Sequence, residues 1–139
     1  MTDVFTKSKR SEVMSRIKGR NTKPELAVRS LLHRMGYRFR LHKADLPGKP
    51  DIVLARYKTV IFVHGCFWHR HKDCRFAYTP KSRTEFWLKK LESNVIRDIQ
   101  VKSDLELLGW RVITLWECEL RDMDQLAARL DADLGGELR

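Results

Sequence analysis

DIVLARYKTVIFVHGCFWHRHKDC, residues 51–74, decides how this chain is read. Two β-rich runs, DIVLAR and TVIFVHG, lie a few residues apart and predict an antiparallel hairpin. Directly after the second run come Cys66, His69, His71 and Cys74 within residues 64–74, a density of nitrogen and sulfur donors that asks for a metal. Upstream, Thr22-Lys23-Pro24-Glu25 has capping-box spacing with Pro in the tolerated first turn. The segment LAVRSLLHRM that follows is apolar at 26, 28, 31, 32 and 35, which predicts a helix that Gly36 ends. Tyr37 to Leu41 alternates apolar and basic residues as a half-buried strand does, and HKADLPGKP is a turn-rich loop leading back to the hairpin.

Downstream, Ser82-Arg83-Thr84-Glu85 reads as a second capping box opening a long helix that reaches Leu108, with Gly109 as its stop. WRVITLW is a near-continuous apolar run, the pattern of a buried strand lying beside others, and its helical connection suits a parallel neighbour. DMDQLAARLDADL predicts an acidic closing helix. At the other end, residues 1–10 read as a flexible arm and Ser11 to Lys18 as a short helix. The fold class is therefore α/β, a single domain over residues 1–139 with a central mixed sheet flanked by helices.

Composition narrows the function. The chain has 139 residues, of which 42% are apolar, enough for a core without covalent staples. No apolar run is long enough to span a bilayer, and the opening MTDVFTKSKR has no secretory stretch, so a cytoplasmic or nuclear protein is expected. Three cysteines in such a chain exclude a disulfide framework. The formal net charge of +10 points to a polyanion. That charge is uneven: residues 1–20 carry six basic side chains against two acidic, residues 70–102 nine against four, and residues 117–139 three against seven. One face is thus suited to nucleic acid and the other to water.

The chemistry-bearing residues gather around the hairpin. Asp51, after Pro50 at the start of a strand, is held by rigid backbone where a hard cation can bind, although an Asp after Pro is also an ordinary turn residue. Cys66, His71, Cys74 and the distant Cys118 make a four-ligand zinc set that uses every cysteine, against the alternative of three buried thiols with incidental histidines. His69 is then left over as a candidate general acid or base, with Asp98 of NVIRD as the carboxylate to orient it. His64 can neutralise or position a phosphate. Glu25 has its capping role and can also reach metal-bound water. Phe67 and Trp68 lie in a charged loop, either as a small core beneath it or as a wedge that inserts between base steps. Trp87, in RTEFWLKK, joins them or packs inward.

Together LPGKPD, VIFVHGCFWHRHKDC, RTEFWLKK, NVIRD and GWRVITLWEC resemble the very-short-patch repair endonucleases, from about Ser11 to Leu120. The resemblance implies a type II restriction endonuclease-like fold with a structural zinc site. It implies an enzyme that nicks duplex DNA 5′ of the mismatched T in a T·G pair, the lesion left by deaminated 5-methylcytosine. Asp51 and the backbone carbonyl of Val63 would bind catalytic Mg²⁺, His69 would activate water with Asp98 behind it, and His64 and Glu25 would complete the active-site shell. Phe67, Trp68 and Trp87 would wedge into the duplex, with Met14 entering from the other groove. Cys66, His71, Cys74 and Cys118 match the family's Zn²⁺ ligands. The expected setting is a bacterial, nucleoid-associated monomer without membrane attachment, linked functionally to a cytosine-5 methyltransferase and mismatch-repair factors. Where the wider superfamily has Glu-x-Lys on the second hairpin strand, this chain has Val63-His64-Gly65, so the metal must rely on a carbonyl and water. Two rival readings remain at this point: a related nuclease of different specificity, and a zinc-stapled DNA-binding module without catalysis. Asp51, His64 and His69 argue against the second, because a binder needs none of them.

Overall fold

The computed structural model describes residues 22–135. Its first element, helix α1 (Lys23–Arg34), begins where the sequence predicts, with Thr22 as cap and Pro24 in the first turn. The Glu25 amide donates to Thr22 Oγ1 at 3.3 Å, which satisfies one of the amides a helix start leaves free. The predicted second half of the box is replaced, because the Glu25 carboxylate turns to Arg29 and His42 instead.

Four strands form one sheet in the order β1 (Arg40–Leu41), β2 (Ile52–Leu54), β3 (Thr59–His64), β4 (Arg111–Trp116). The hairpin is antiparallel, with Ile52 opposite Ile61 and Leu54 opposite Thr59. β4 runs parallel to β3, with Ile61 opposite Ile113, as a helical crossover requires. That crossover contains α2 (Thr84–Leu107), and α3 (Met123–Leu134) closes the described chain.

Alternation along the strands sorts the core into two layers. Ile52, Leu54, Ile61, Ile113 and Leu115 meet Val28, Leu31 and Leu32 of α1 and Leu126, Leu130 and Leu134 of α3. Val53 and Val60 face the other way, onto Leu105 of α2, with Phe62, Val101 and Val112 packed alongside. The result is a mixed four-stranded sheet with helices on both faces. Burying each such side chain contributes about 1.5–3 kcal/mol by transfer from water.

Three expectations are corrected. Strand pairing at 37–41 is confined to Arg40–Leu41, while Tyr37 is buried before the strand begins. Ser82 does not cap α2: Arg83 takes the cap position in the left-handed region, φ 54°, and no side chain caps the helix. Thr84 Oγ1 donates back to the Pro80 carbonyl at 2.9 Å, so the turn closes on itself. β4 is an edge strand among the described residues, not a central one. Its continuous apolar run arises because helices lie on both faces of the sheet. Its open side is partly met by Arg129, whose guanidinium donates to the Thr114 carbonyl at 3.2 Å. Ser11 to Lys18 and Met14 lie outside the described residues. Among the described residues no helix is long and apolar enough to cross a membrane.

Candidate active site and metal centres

The end of β3 is where the chemistry converges. β3 stays paired with β4 through His64, opposite Trp116, and residues 66–83 then carry no helix or strand. Asp51 sits one residue before β2, and its Oδ2 accepts a hydrogen bond from the Val63 amide at 2.8 Å. Burial and the nearby Glu25 charge push the Asp51 carboxyl up to about 6, while the Val63 amide opposes the rise. Glu25 reaches the same place from the first turn of α1, itself almost wholly buried.

A second group faces this pair across a cleft of roughly 730 Å³. His69 Nδ1 donates to Asp98 Oδ2 at 2.6 Å, the charge-assisted pairing that fixes an imidazole's tautomer and direction. His64 stacks flat on His69, with ring centres 3.7 Å apart and planes within 4°. Burial, then the neighbouring His69, lower the His64 pKa to about 4, and its Nδ1 is buried without a hydrogen-bond partner. Both effects favour the uncharged ring.

The cysteines form the third group. Ligand atoms of Cys66, His71, Cys74 and Cys118 all lie within 4.8 Å of one another, a span that one ion with ~2.3 Å Zn–S bonds can bridge. These four donors can hold a metal ion. His71 stacks on Trp116 at the end of β4, with centroids 4.2 Å apart, and its Nδ1 lies 3.4 Å from Cys118 Sγ. Desolvation raises the buried Cys66 thiol to about 12, and a cation bound beside it would favour the thiolate instead. His69 is grouped instead with His64 and Asp98.

Between the ligands, Phe67 and Trp68 pack edge to face at 5.1 Å, and Trp87 of α2 lies 5.7 Å from Phe67 and 5.8 Å from Trp68. All three are half-buried, with the more exposed Tyr78 and Phe86 beside them. The cluster is neither a closed core nor free in water.

Two residues escaped the sequence reading. Asn94 is buried on the sheet-facing stripe of α2 and donates to the Trp68 carbonyl at 3.0 Å. Its signal is the four-residue step to Asp98, which puts both on one helix face. His42 completes a group with Glu25 and Asp51, the three donor atoms again within 4.8 Å of one another. Extending the β1–β2 register by one residue, from Leu41 opposite Ile52, would have placed it beside Asp51.

Comparison with known proteins gives the class first: its relatives are DNA nicking enzymes and endonucleases. The type II nicking enzyme V.XorIIP of Xanthomonas oryzae pv. oryzae is 52% identical over 130 residues, covering 94% of this chain and 95% of its own. The type II nicking enzyme V.NmeAIP of Neisseria meningitidis serogroup A is 50% identical over 131 residues, covering 94% of this chain and 93% of its own. DNA mismatch endonuclease Vsr of Escherichia coli is 48% identical over 126 residues, 91% of this chain and 80% of its own. The model of the family described as DNA mismatch endonuclease Vsr matches residues 2–75. The chain belongs to that family.

Proposed function

We propose that this chain is a Mg²⁺-dependent, strand-specific endonuclease that nicks duplex DNA 5′ of the mismatched T in a T·G pair. The observation that carries the reading is a single cleft lined by two carboxylates, Asp51 and Glu25, and by a histidine that a third carboxylate orients, His69 with Asp98. The relatives' names, mismatch endonuclease and nicking enzyme, support the kind of cut.

The donor set fits a hard cation. Asp51 and Glu25 offer carboxylate oxygens close enough to repel each other's charge, and a divalent ion relieves that repulsion. Asp51 and the Val63 carbonyl are the proposed ligands, with Glu25 acting through water. When bound, the ion supplies Lewis-acid polarisation of the scissile phosphate.

The proton work belongs to the protein. With Nδ1 donating to Asp98, His69 keeps its Nε2 lone pair and takes the proton from the attacking water. Asp98 then stabilises the imidazolium. His64, neutral and stacked against His69, positions the phosphate. Phe67, Trp68 and Trp87 act as the wedge at the mispair, whose weak stacking makes insertion cheapest there.

Zinc is the proposed ion for Cys66, His71, Cys74 and Cys118, since three thiolates and an imidazole suit it and leave no position for water. Its role is then to hold the loop. The protein acts as one domain and as a monomer, and deamination of the product of a cytosine-5 methyltransferase supplies its substrate.

Nicking of T·G duplexes in varied sequence contexts, with and without Mg²⁺, tests the whole reading. Cutting confined to the T strand of mismatched duplexes is expected. Equal cutting of paired and mismatched duplexes would leave a related nuclease of relaxed specificity, and binding without any cutting would leave a DNA-binding module.

A further inference from the structure

We infer that His42 is a positioning residue of the Asp51 centre, holding the Glu25 carboxylate in place for the divalent ion. The inference rests on the proposal that Asp51 and Glu25 serve a metal.

His42 follows β1 directly, where the chain must leave the sheet. Its amide still donates to the Asp51 carbonyl at 3.3 Å, so backbone pairing carries it to the level of Asp51. Its φ is 45°, in the left-handed region that a side chain with a Cβ rarely adopts. That bend aims the ring inward. The His42 side chain is only 12% exposed, and Nε2 donates to Glu25 Oε2 at 2.9 Å. A left-handed backbone and the withdrawal of a polar ring from water both carry a cost, which the hydrogen bond to Glu25 must offset.

The reason lies in what Glu25 does without it. Glu25 is almost wholly buried and projects from the first turn of α1, next to Asp51. Arg29, one turn along the same helix, holds the carboxylate from the helix side. His42 holds it from the sheet side, and so ties α1 to the β1–β2 edge through one oxygen. A carboxylate gripped from two elements has little freedom to turn. Glu25 is proposed to act on the ion through water, so His42 stands behind an outer partner. Its effect is expected at the low end of the roughly 10–100-fold that such groups exert on metal affinity.

The probe is Mn²⁺ alone, titrated by isothermal calorimetry into zinc-loaded protein without DNA. His42→Ala is expected to raise the Mn²⁺ Kd about tenfold, with zinc content unchanged. His42→Gln, which can still donate to Glu25, is expected to stay within about threefold of wild type. In a Glu25→Ala background, His42→Ala should add nothing, because its partner is gone. An unchanged Kd in His42→Ala overturns the inference. So does a further loss in the Glu25→Ala background, which would make His42 a direct ligand. If His42→Ala does not fold, His42→Gln decides alone, and a tenfold loss there overturns the inference. Asp51→Ala separates the two readings: if it binds Mn²⁺ like wild type, the proposed metal centre fails, whatever His42 does.

Discussion

Two side-chain clusters flank the end of β3, and they differ in almost every physical respect. Cys66, His71, Cys74 and Cys118 are mostly soft donors, drawn from an irregular loop and the turn after β4, and they offer four donor atoms close enough for one ion. Glu25, His42 and Asp51 are mostly hard oxygen donors, each mounted at the end of a regular element, and Glu25 and Asp51 line an open cleft. The first organises chain that has no ladder of its own. The second is organised by chain that already has one. Closed coordination goes with holding a fold, and open coordination with acting on something that arrives.

The sharpest break of this contrast is Asp51→Ala. Loss of cleavage to background is expected, with binding to mismatched duplex within a few fold of wild type, since phosphate contacts supply most affinity. A gel-shift titration beside a nicking time course measures both. Cleavage near the wild-type rate would move the metal elsewhere.

The two histidines that flank Arg70 come next, because they are assigned to different clusters. His69→Ala should slow nicking by on the order of 10²–10⁴-fold with zinc retained. His71→Ala should lose zinc and with it thermal stability, because metal binding is coupled to folding. Zinc content by elemental analysis and melting curves on both variants decide it. The opposite pattern would exchange their roles.

Trp68→Ala tests what the closed cluster is for. Preference for T·G over T·A duplex should fall by roughly tenfold or more, the scale of one lost base stack, with general DNA affinity little changed. A fall in melting temperature with equal loss on both duplexes would make Trp68 core.

The smallest effect separates the clusters by pH. Asp51 titrates near 6 in the fold, above its ordinary value of 3.8. Between those pH values the unfolded chain loses its proton while the folded one keeps it, so stability falls as pH rises and stays reduced above about 6. Asp51→Asn, measured without added divalent ion, should therefore raise Tm by a few degrees at pH 7.5. The gain should vanish near pH 4. A gain that is flat with pH would remove burial of charge as its cause.

Much of this was legible in the residues. The hairpin, the parallel fourth strand and the helices followed from periodicity, because each buries a stripe against a neighbour. The Cys/His group was legible because donor types are rare and cluster in sequence. The edge position of β4 was not, since an apolar strand looks the same whether neighbours lie beside it or only above and below. Arg83 at the start of α2 was hidden because a left-handed cap leaves no side-chain signature, and Ser82 offered a false one. His42 and Asn94 were hidden for another reason: each matters through one long-range hydrogen bond, which depends on register and helix phase and not on local pattern.

Asn94 and Asp98 stand one turn apart on α2 and hold two consecutive residues of the loop, the Trp68 carbonyl and the His69 ring. Between those two anchor points lie one planar peptide unit and the φ and side-chain torsions of His69, which the two hydrogen bonds together restrain. The Trp68 backbone and the His69 ring are thus both referred to one helix face. Both anchors belong to a helix 24 residues long whose far end is packed in the core. The spacing between the indole's loop residue and the imidazole is therefore set by α2 as much as by the loop itself.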